Sequence, residues 1–278
     1  MPGARSLEPG AQTPDPALGT PVAPRRRMGR TFLIVFTLLI PAAAAAQTPP
    51  PPPPPLWDVQ IGASFVGTSG NSDTSSTGAD FGLHRRWLVW QLESTASAVR
   101  TSNQDVRTAE RYLGALRGQR KLTSIVGLSA GIKLERDKFS GINSRSISDV
   151  GLSWALVRQA AWTLDGITAI ALLHENPILG PKRNNPIGVF QLLSRIPLGA
   201  SGATTQRVTF YPDFKDTNAH RSEMELAAQA AMNSRFALKL GYLVRRSNAP
   251  VAGFKKTDTM TTASVVMQWK AATAAPTQ

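Results

Sequence analysis

From Trp57 to Trp269 the chain keeps a period of two, and no other feature restricts its folding as much. In the stretch from Leu122 to Leu134 one face reads Leu122, Ser124, Val126, Leu128, Ala130, Ile132, Leu134. The other reads Thr123, Ile125, Gly127, Ser129, Gly131, Lys133. Successive side chains of a strand point to opposite faces, so this alternation suits a strand with one apolar face and one small or polar face. Gly and Ser recurring on one side argue against an amphipathic helix.

The pattern recurs along the chain. Trp57, Val59, Ile61, Ala63 and Phe65 alternate with Asp58, Gln60, Gly62 and Ser64. Phe236, Leu238, Leu240, Tyr242 and Val244 alternate with Arg235, Ala237, Lys239, Gly241 and Arg245. Val265, Met267 and Trp269 alternate with Ser264, Val266 and Gln268. Residues 219–232 are richer in Ala and Glu, which also suits a helix, but Arg221, Glu223 and Glu225 keep strict alternation, so a strand is expected there too. Clusters of Gly, Asn, Asp, Ser and Pro separate the runs, as at Gly70–Asp73, Ser102–Asp105, Asp137–Asn143, Glu175–Asn185, Tyr211–Asn218 and Ser247–Lys256. The runs between them predict about twelve strands.

Strands of this length with an apolar face fit two all-β architectures. A β-sandwich turns its apolar face inward, and a transmembrane β-barrel turns it to lipid. Closure removes the unpaired strand edges that lipid cannot solvate. The polar face carries Gly, Ser, Thr and charges of both signs, as a barrel lumen does. The expected fold is therefore an antiparallel transmembrane β-barrel of about twelve strands over residues 57–269, with a soluble periplasmic β-sandwich binding protein as the alternative. Aromatic residues make up only 7%, low for aromatic girdles, although Trp57, Trp87, Trp90, Trp154, Trp162 and Trp269 fall at or near strand ends.

The N-terminal part supports export. Arg25–Arg30 is a basic segment, Thr31–Ile40 an apolar run of ten residues, and Ala42–Ala46 a run of small residues. That three-part layout predicts a secretory signal peptide within residues 1–46, with Met28 as the start and cleavage after Ala46. The apolar run is short of the about 20 residues a spanning helix needs. Residues 47–56 follow as a proline-rich linker, in which Pro49–Pro55 form a stiff polyproline spacer. Residues 270–278 form a short tail.

The chemistry is sparse. Without cysteine there is no disulfide and no thiolate metal site. The formal charge of +13 comes from scattered basic residues and no nucleic-acid motif, so no nucleic-acid partner is expected. No cofactor and no metal site is predicted: Asn71 and Asp73 suit a hairpin turn better than a calcium site, and Asp137, between Arg136 and Lys138, suits a loop ion pair. Only His84, His174 and His220 are available as a catalytic base; His174 is the best placed, but no local nucleophile motif accompanies it. The protein is therefore expected to be no enzyme, with a lipid-modifying barrel using His174 as the alternative.

The lumen-facing candidates are Glu110, Arg111, Lys133, Glu223, Glu225, Arg235 and Lys239, together with Asp58, Gln60, Arg117, Arg221 and Arg245. Basic residues outnumber acidic ones among them, which favours anions if a pore exists. Twelve strands lie between filled eight-stranded barrels and open porins, so the lumen is either a narrow path or plugged by ion pairs.

Three motifs carry a resemblance. Gly62–Thr74 resembles the "G-x-S-x-x-x-T-S-G-N-S/T-D-T" opening of the salt-induced outer-membrane proteins, domain-of-unknown-function family 481. Leu134–Ile142 resembles that family's strand followed by "E-R-D-x-F", and Gly253–Thr259 resembles its "K-x-T-D-T" run into the last strand. The resemblance covers essentially all of 57–269. It implies a Gram-negative outer-membrane barrel, with outer-membrane lipid and the barrel-insertion machinery as partners, and no reaction. Such barrels usually finish on an aromatic residue; Trp269 suits, although Lys270–Gln278 follow it.

Overall fold

The structure, a computed structural model, describes residues 56–70, 74–103 and 106–270. The expected signal peptide, the prolines of the linker, Asn71–Asp73, Gln104–Asp105 and the tail beyond Lys270 lie outside the described residues.

Twelve strands follow one another: β1 (Trp57–Ser69), β2 (Thr74–Arg86), β3 (Trp90–Asn103), β4 (Val106–Lys121), β5 (Val126–Asp137), β6 (Ile142–Gln159), β7 (Trp162–Pro177), β8 (Arg183–Leu198), β9 (Gly202–Tyr211), β10 (Arg221–Ala231), β11 (Phe236–Ser247) and β12 (Thr257–Lys270). Each pairs antiparallel with its sequence neighbours, and β1 pairs with β12 from Asp58↔Lys270 to Ser69↔Thr259. The sheet is a closed barrel. The 219–232 stretch, where composition left a helix open, is strand β10, fixed by registers to β9 and β11 on its two sides.

The side-chain pattern overturns the sandwich alternative. Ile170 is 66% exposed and Phe65 57%, whereas Ser129 is 1% exposed. Apolar side chains thus point out of the barrel and polar ones into it, the reverse of a water-soluble β protein.

The two ends differ. At one end the connections are tight, as at 160–161 and 199–201; this is the turn end, where β1 begins and β12 finishes. At the other, loop end, the connections include 212–220, 248–256 and a 3-10 turn at Lys138–Ser140. Gly141 closes that turn at φ 73°, a left-handed conformation that favours glycine. The six tryptophans, low in number for two girdles, all lie near the turn end. Trp57, Trp87, Trp90 and Trp269 are exposed there, and the Trp154 and Trp162 indoles donate to Thr168 Oγ1 (3.0 Å) and Ser194 Oγ (2.9 Å).

Candidate functional site

The odd-numbered face of β5 builds the site. Ser129, Gly131, Lys133, Glu135 and Asp137 alternate with exposed Leu128, Ile132 and Leu134, so the five line the lumen. Gly131 leaves the space that a neighbouring pair occupies, since a Cβ there would sit 2.7 Å from Arg117 Nη2 and 3.0 Å from Asp149 Oδ2. Arg117 grips Asp149 with two donors at 2.8 and 2.7 Å and also donates to Ser129 Oγ at 2.7 Å.

Towards the loop end the charges converge on Glu135. Its carboxylate faces Arg245 (2.9 Å), Arg145 (3.2 Å), Arg221 (3.2 Å) and Arg111 (3.6 Å). Asp137, fully buried, meets Arg111 at 3.4 Å and accepts from Arg245. Strands β5 and β11 stand six places apart in a ring of twelve, so the Glu135–Arg245 pair crosses the barrel. Lys133 reaches from β5 to Glu223 on β10 at 2.8 Å. Nearer the turn end Arg207 on β9 joins Glu93 on β3 (3.4 Å), another diametric pair, and Glu225 (3.3 Å). Tyr211 offers its ring to Lys133 and Arg221.

Beside this ionic half, Ile147, Ala171, Leu173, Ile187 and Val189 form an apolar cluster with Tyr211 inside the barrel, on β6 to β9. The loop over it is pinned. Asp213 accepts from Asn185 Nδ2 (2.7 Å), Arg183 (3.2 Å) and the amides of Lys215 (2.9 Å) and Asp216 (3.1 Å). Burial pushes the Asp213 carboxyl up, but those four donors together hold it below the ordinary carboxylate range.

Most of the predicted lumen residues lie in or next to this network. Arg111, Lys133 and Glu223 belong to the loop-end cluster and Glu225 to the Arg207 pair. Lys239 sits on the lumen side opposite Gln229, apart from these pairs. Two placements differ. Glu110 neighbours Arg111 on β4, and adjacent strand residues cannot share a face. Glu110 lies on the outer side, paired with Arg136 (3.1 Å) and Lys138 (2.8 Å). Arg235 belongs to the exposed turn before β11, because the Asn233 side chain accepts from the amides of Arg235 and Phe236 and ends the hairpin there. Sequence reading also left out carboxylates and guanidiniums alike: Glu135, Asp149, Glu175 and Asp213 on one side, Arg145, Arg183 and Arg207 on the other. Asp137, expected in a loop ion pair beside Arg136 and Lys138, instead ends β5 and pairs with Arg111 and Arg245. Glu135 and Asp137 were findable, two and four residues beyond Lys133 on the same face.

The three motif segments meet at the loop end. Ser69 Oγ and Thr259 Oγ1 lie 2.6 Å apart, and Ser140 Oγ donates to Asp258 Oδ2 at 2.9 Å. A Cβ on Gly70 would sit 2.7 Å from the Thr257 carbonyl oxygen, so the first motif packs directly on the third.

His174 points outward from β7. Its Nδ1 shares a 2.7 Å hydrogen bond with Asn184 Oδ1, and Ser146 is its register partner on the other side.

The profile of the family described as "Protein of unknown function, DUF481" matches residues 61–269. The "Uncharacterized protein YdiY" of Escherichia coli (strain K12) is 24% identical over 211 residues, covering 74% of this chain and 80% of that protein. Among solved structures, the NanC porin has a similar fold, with a TM-score of 0.52 at 12% identity over 74% of this chain and 98% of its own.

Proposed function

The chain belongs to the DUF481 family of proteins of unknown function, and from that premise we propose that it is a non-enzymatic outer-membrane barrel acting as a narrow channel, closed at rest by ion pairs across its lumen. One observation carries this reading: charge, not apolar packing, bridges the barrel at Glu135–Arg245, Lys133–Glu223 and Arg207–Glu93. Buried ion pairs are a poor way to gain stability, because apolar side chains of similar volume fill such space as well or better. A polar lumen, in contrast, is what a water-filled path requires. The outward apolar face and the likeness to the NanC porin fold support placement in the outer membrane, with lipid and the insertion machinery as partners. Export through the signal peptide belongs to the same proposal.

Planar-bilayer recordings of the purified, folded protein test it. Small channels are expected, and Glu135→Ala should raise open conductance by freeing four arginines to rearrange. Silence from both proteins, with both folded, would leave an envelope-structure role in its place.

A second reading has an observation of its own. Asn184 on β8, His174 on β7 and Ser146 on β6 form a row on the outer face, where an acyl chain would lie, although Ser146 and His174 are not hydrogen-bonded to each other. A lipid-modifying enzyme would use His174 as base and Ser146 as nucleophile. An unchanged lipid profile in His174→Ala cells disposes of it.

A further inference from the structure

The pleat of β5 splits the motif Leu134–Ile142 between two sides of the wall. Glu135 and Asp137 enter the lumen, and Arg136 between them faces outward at the loop end. There Arg136 Nη2 (3.1 Å) and Lys138 Nζ (2.8 Å) both reach the same oxygen, Glu110 Oε1. Arg100, exposed on β3, is the register partner of Glu110. Such partners stand about 5 Å apart at Cβ. Among the described residues the patch therefore sets three bases against one carboxylate. That carboxylate is buried, whereas the side chains of Arg136 and Lys138 stay 46% and 37% exposed. Positive charge is left facing outward. On other strands the outward positions of this end carry Ser146, Asn184, Ser222 and Thr259, and Arg246 lies on the opposite side of the ring.

The surface below Arg100 supplies an independent sign. Ala98, Ala96 and Ser94 follow it down the outer side of β3, all small. Exposed Phe81 on β2 stands on one side of them, and exposed Tyr112 and Leu116 on β4 stand on the other. Gly114, the register partner of Ala96, widens the gap, because a Cβ there would meet nothing within 4 Å. An apolar furrow thus runs from the basic patch towards the middle of the barrel wall.

We propose that this patch is a docking site for one phosphate-bearing lipid of the surrounding membrane, with the phosphate on Arg100, Arg136 and Lys138 and an acyl chain in the furrow over β3. Bases at one end and an apolar furrow below them match the two halves of an anionic lipid. Guanidinium and ammonium donors suit phosphate oxygens, and basic residues at a membrane surface attract anionic headgroups. Barrels of this kind keep short turns in the periplasm and longer loops outside, so the site belongs to the outward leaflet. It goes beyond the channel reading and stands whether or not the lumen conducts.

Native mass spectrometry of the folded barrel in detergent tests this, with phosphatidic acid and phosphatidylcholine as separate probes. One phosphatidic acid should stay bound per barrel at concentrations where phosphatidylcholine does not. A basic residue near an anionic lipid surface is worth about fivefold in affinity, so Arg136→Gln/Lys138→Gln should weaken retention about thirtyfold. Arg100→Gln should weaken it about fivefold. That variant leaves both ion pairs of Glu110 in place and carries the test if the double variant does not fold. Arg246→Gln should retain the lipid as the parent does. Equal retention of the two lipids, or equal weakening in Arg246→Gln, overturns the proposal. Release of phosphatidic acid by inorganic phosphate at constant ionic strength also overturns it, by making the patch a site for the free anion.

Discussion

At Glu135 four guanidinium groups converge on one carboxylate from β4, β6, β10 and β11. Removing that carboxylate leaves buried arginines facing one another. Glu135→Ala is therefore expected to destabilise the folded barrel by about 3–5 kcal/mol, the usual cost of breaking one side of a buried pair. The urea midpoint for loss of the folded gel band measures it. Asp213 makes a pH prediction. Its folded pKa is depressed, so its stabilisation is fully present above the unfolded value of about 3.9 and disappears as pH falls through the lower folded value. Wild type should accordingly exceed Asp213→Asn in urea resistance at neutral pH. The gap should close below about pH 4, and a constant gap across the titration would contradict the assignment.

At the scale of the element, β5 shows how one strand serves two solvents. Its even face meets the outside with Leu128, Ile132 and Leu134, and its odd face supplies two glycines, a serine and three charges to the lumen. Gly131 has a steric reason. Gly131→Val should push Arg117 off Asp149 and cost about 1–3 kcal/mol, as overpacking does. Gly118→Ala on β4, with nothing within 4 Å of its Cβ position, should unfold at the parent's urea concentration. Comparing the two midpoints separates the loss of glycine from the loss of space. Strand β10 makes a related point. Its Ala and Glu composition is compatible with a helix, but it is paired in register with β9 on one side and β11 on the other, which propensity does not outweigh.

For the molecule as a whole, closure by β1 and β12 gives a cylinder with no open edge. A closed barrel in detergent resists unfolding until it is heated, so purified protein should migrate differently on gels before and after boiling. Cell fractionation should place it with the outer membrane; recovery in osmotic-shock fluid would contradict that location. The tryptophans at the turn end, where β1 begins and β12 finishes, suit one membrane interface, where amphipathic rings prefer to sit.

Period two determined much of this without a structure. It specified strands, their approximate number and which side chains share a face, because a strand's pleat fixes side-chain direction locally. Arg111, Lys133 and Glu223 were legible for that reason, and Glu110 was misplaced where the same rule was not applied to its neighbour. Alternation does not say which face points inward, nor what stands opposite across a lumen. The ion pairs Glu135–Arg245 and Arg207–Glu93 join residues more than a hundred positions apart, brought together only by the ring order and register of all twelve strands. The meeting of three separated motifs at one end and the apolar cluster inside the barrel were likewise decided by closure. Each depends on the curvature of the complete sheet, which no single strand encodes.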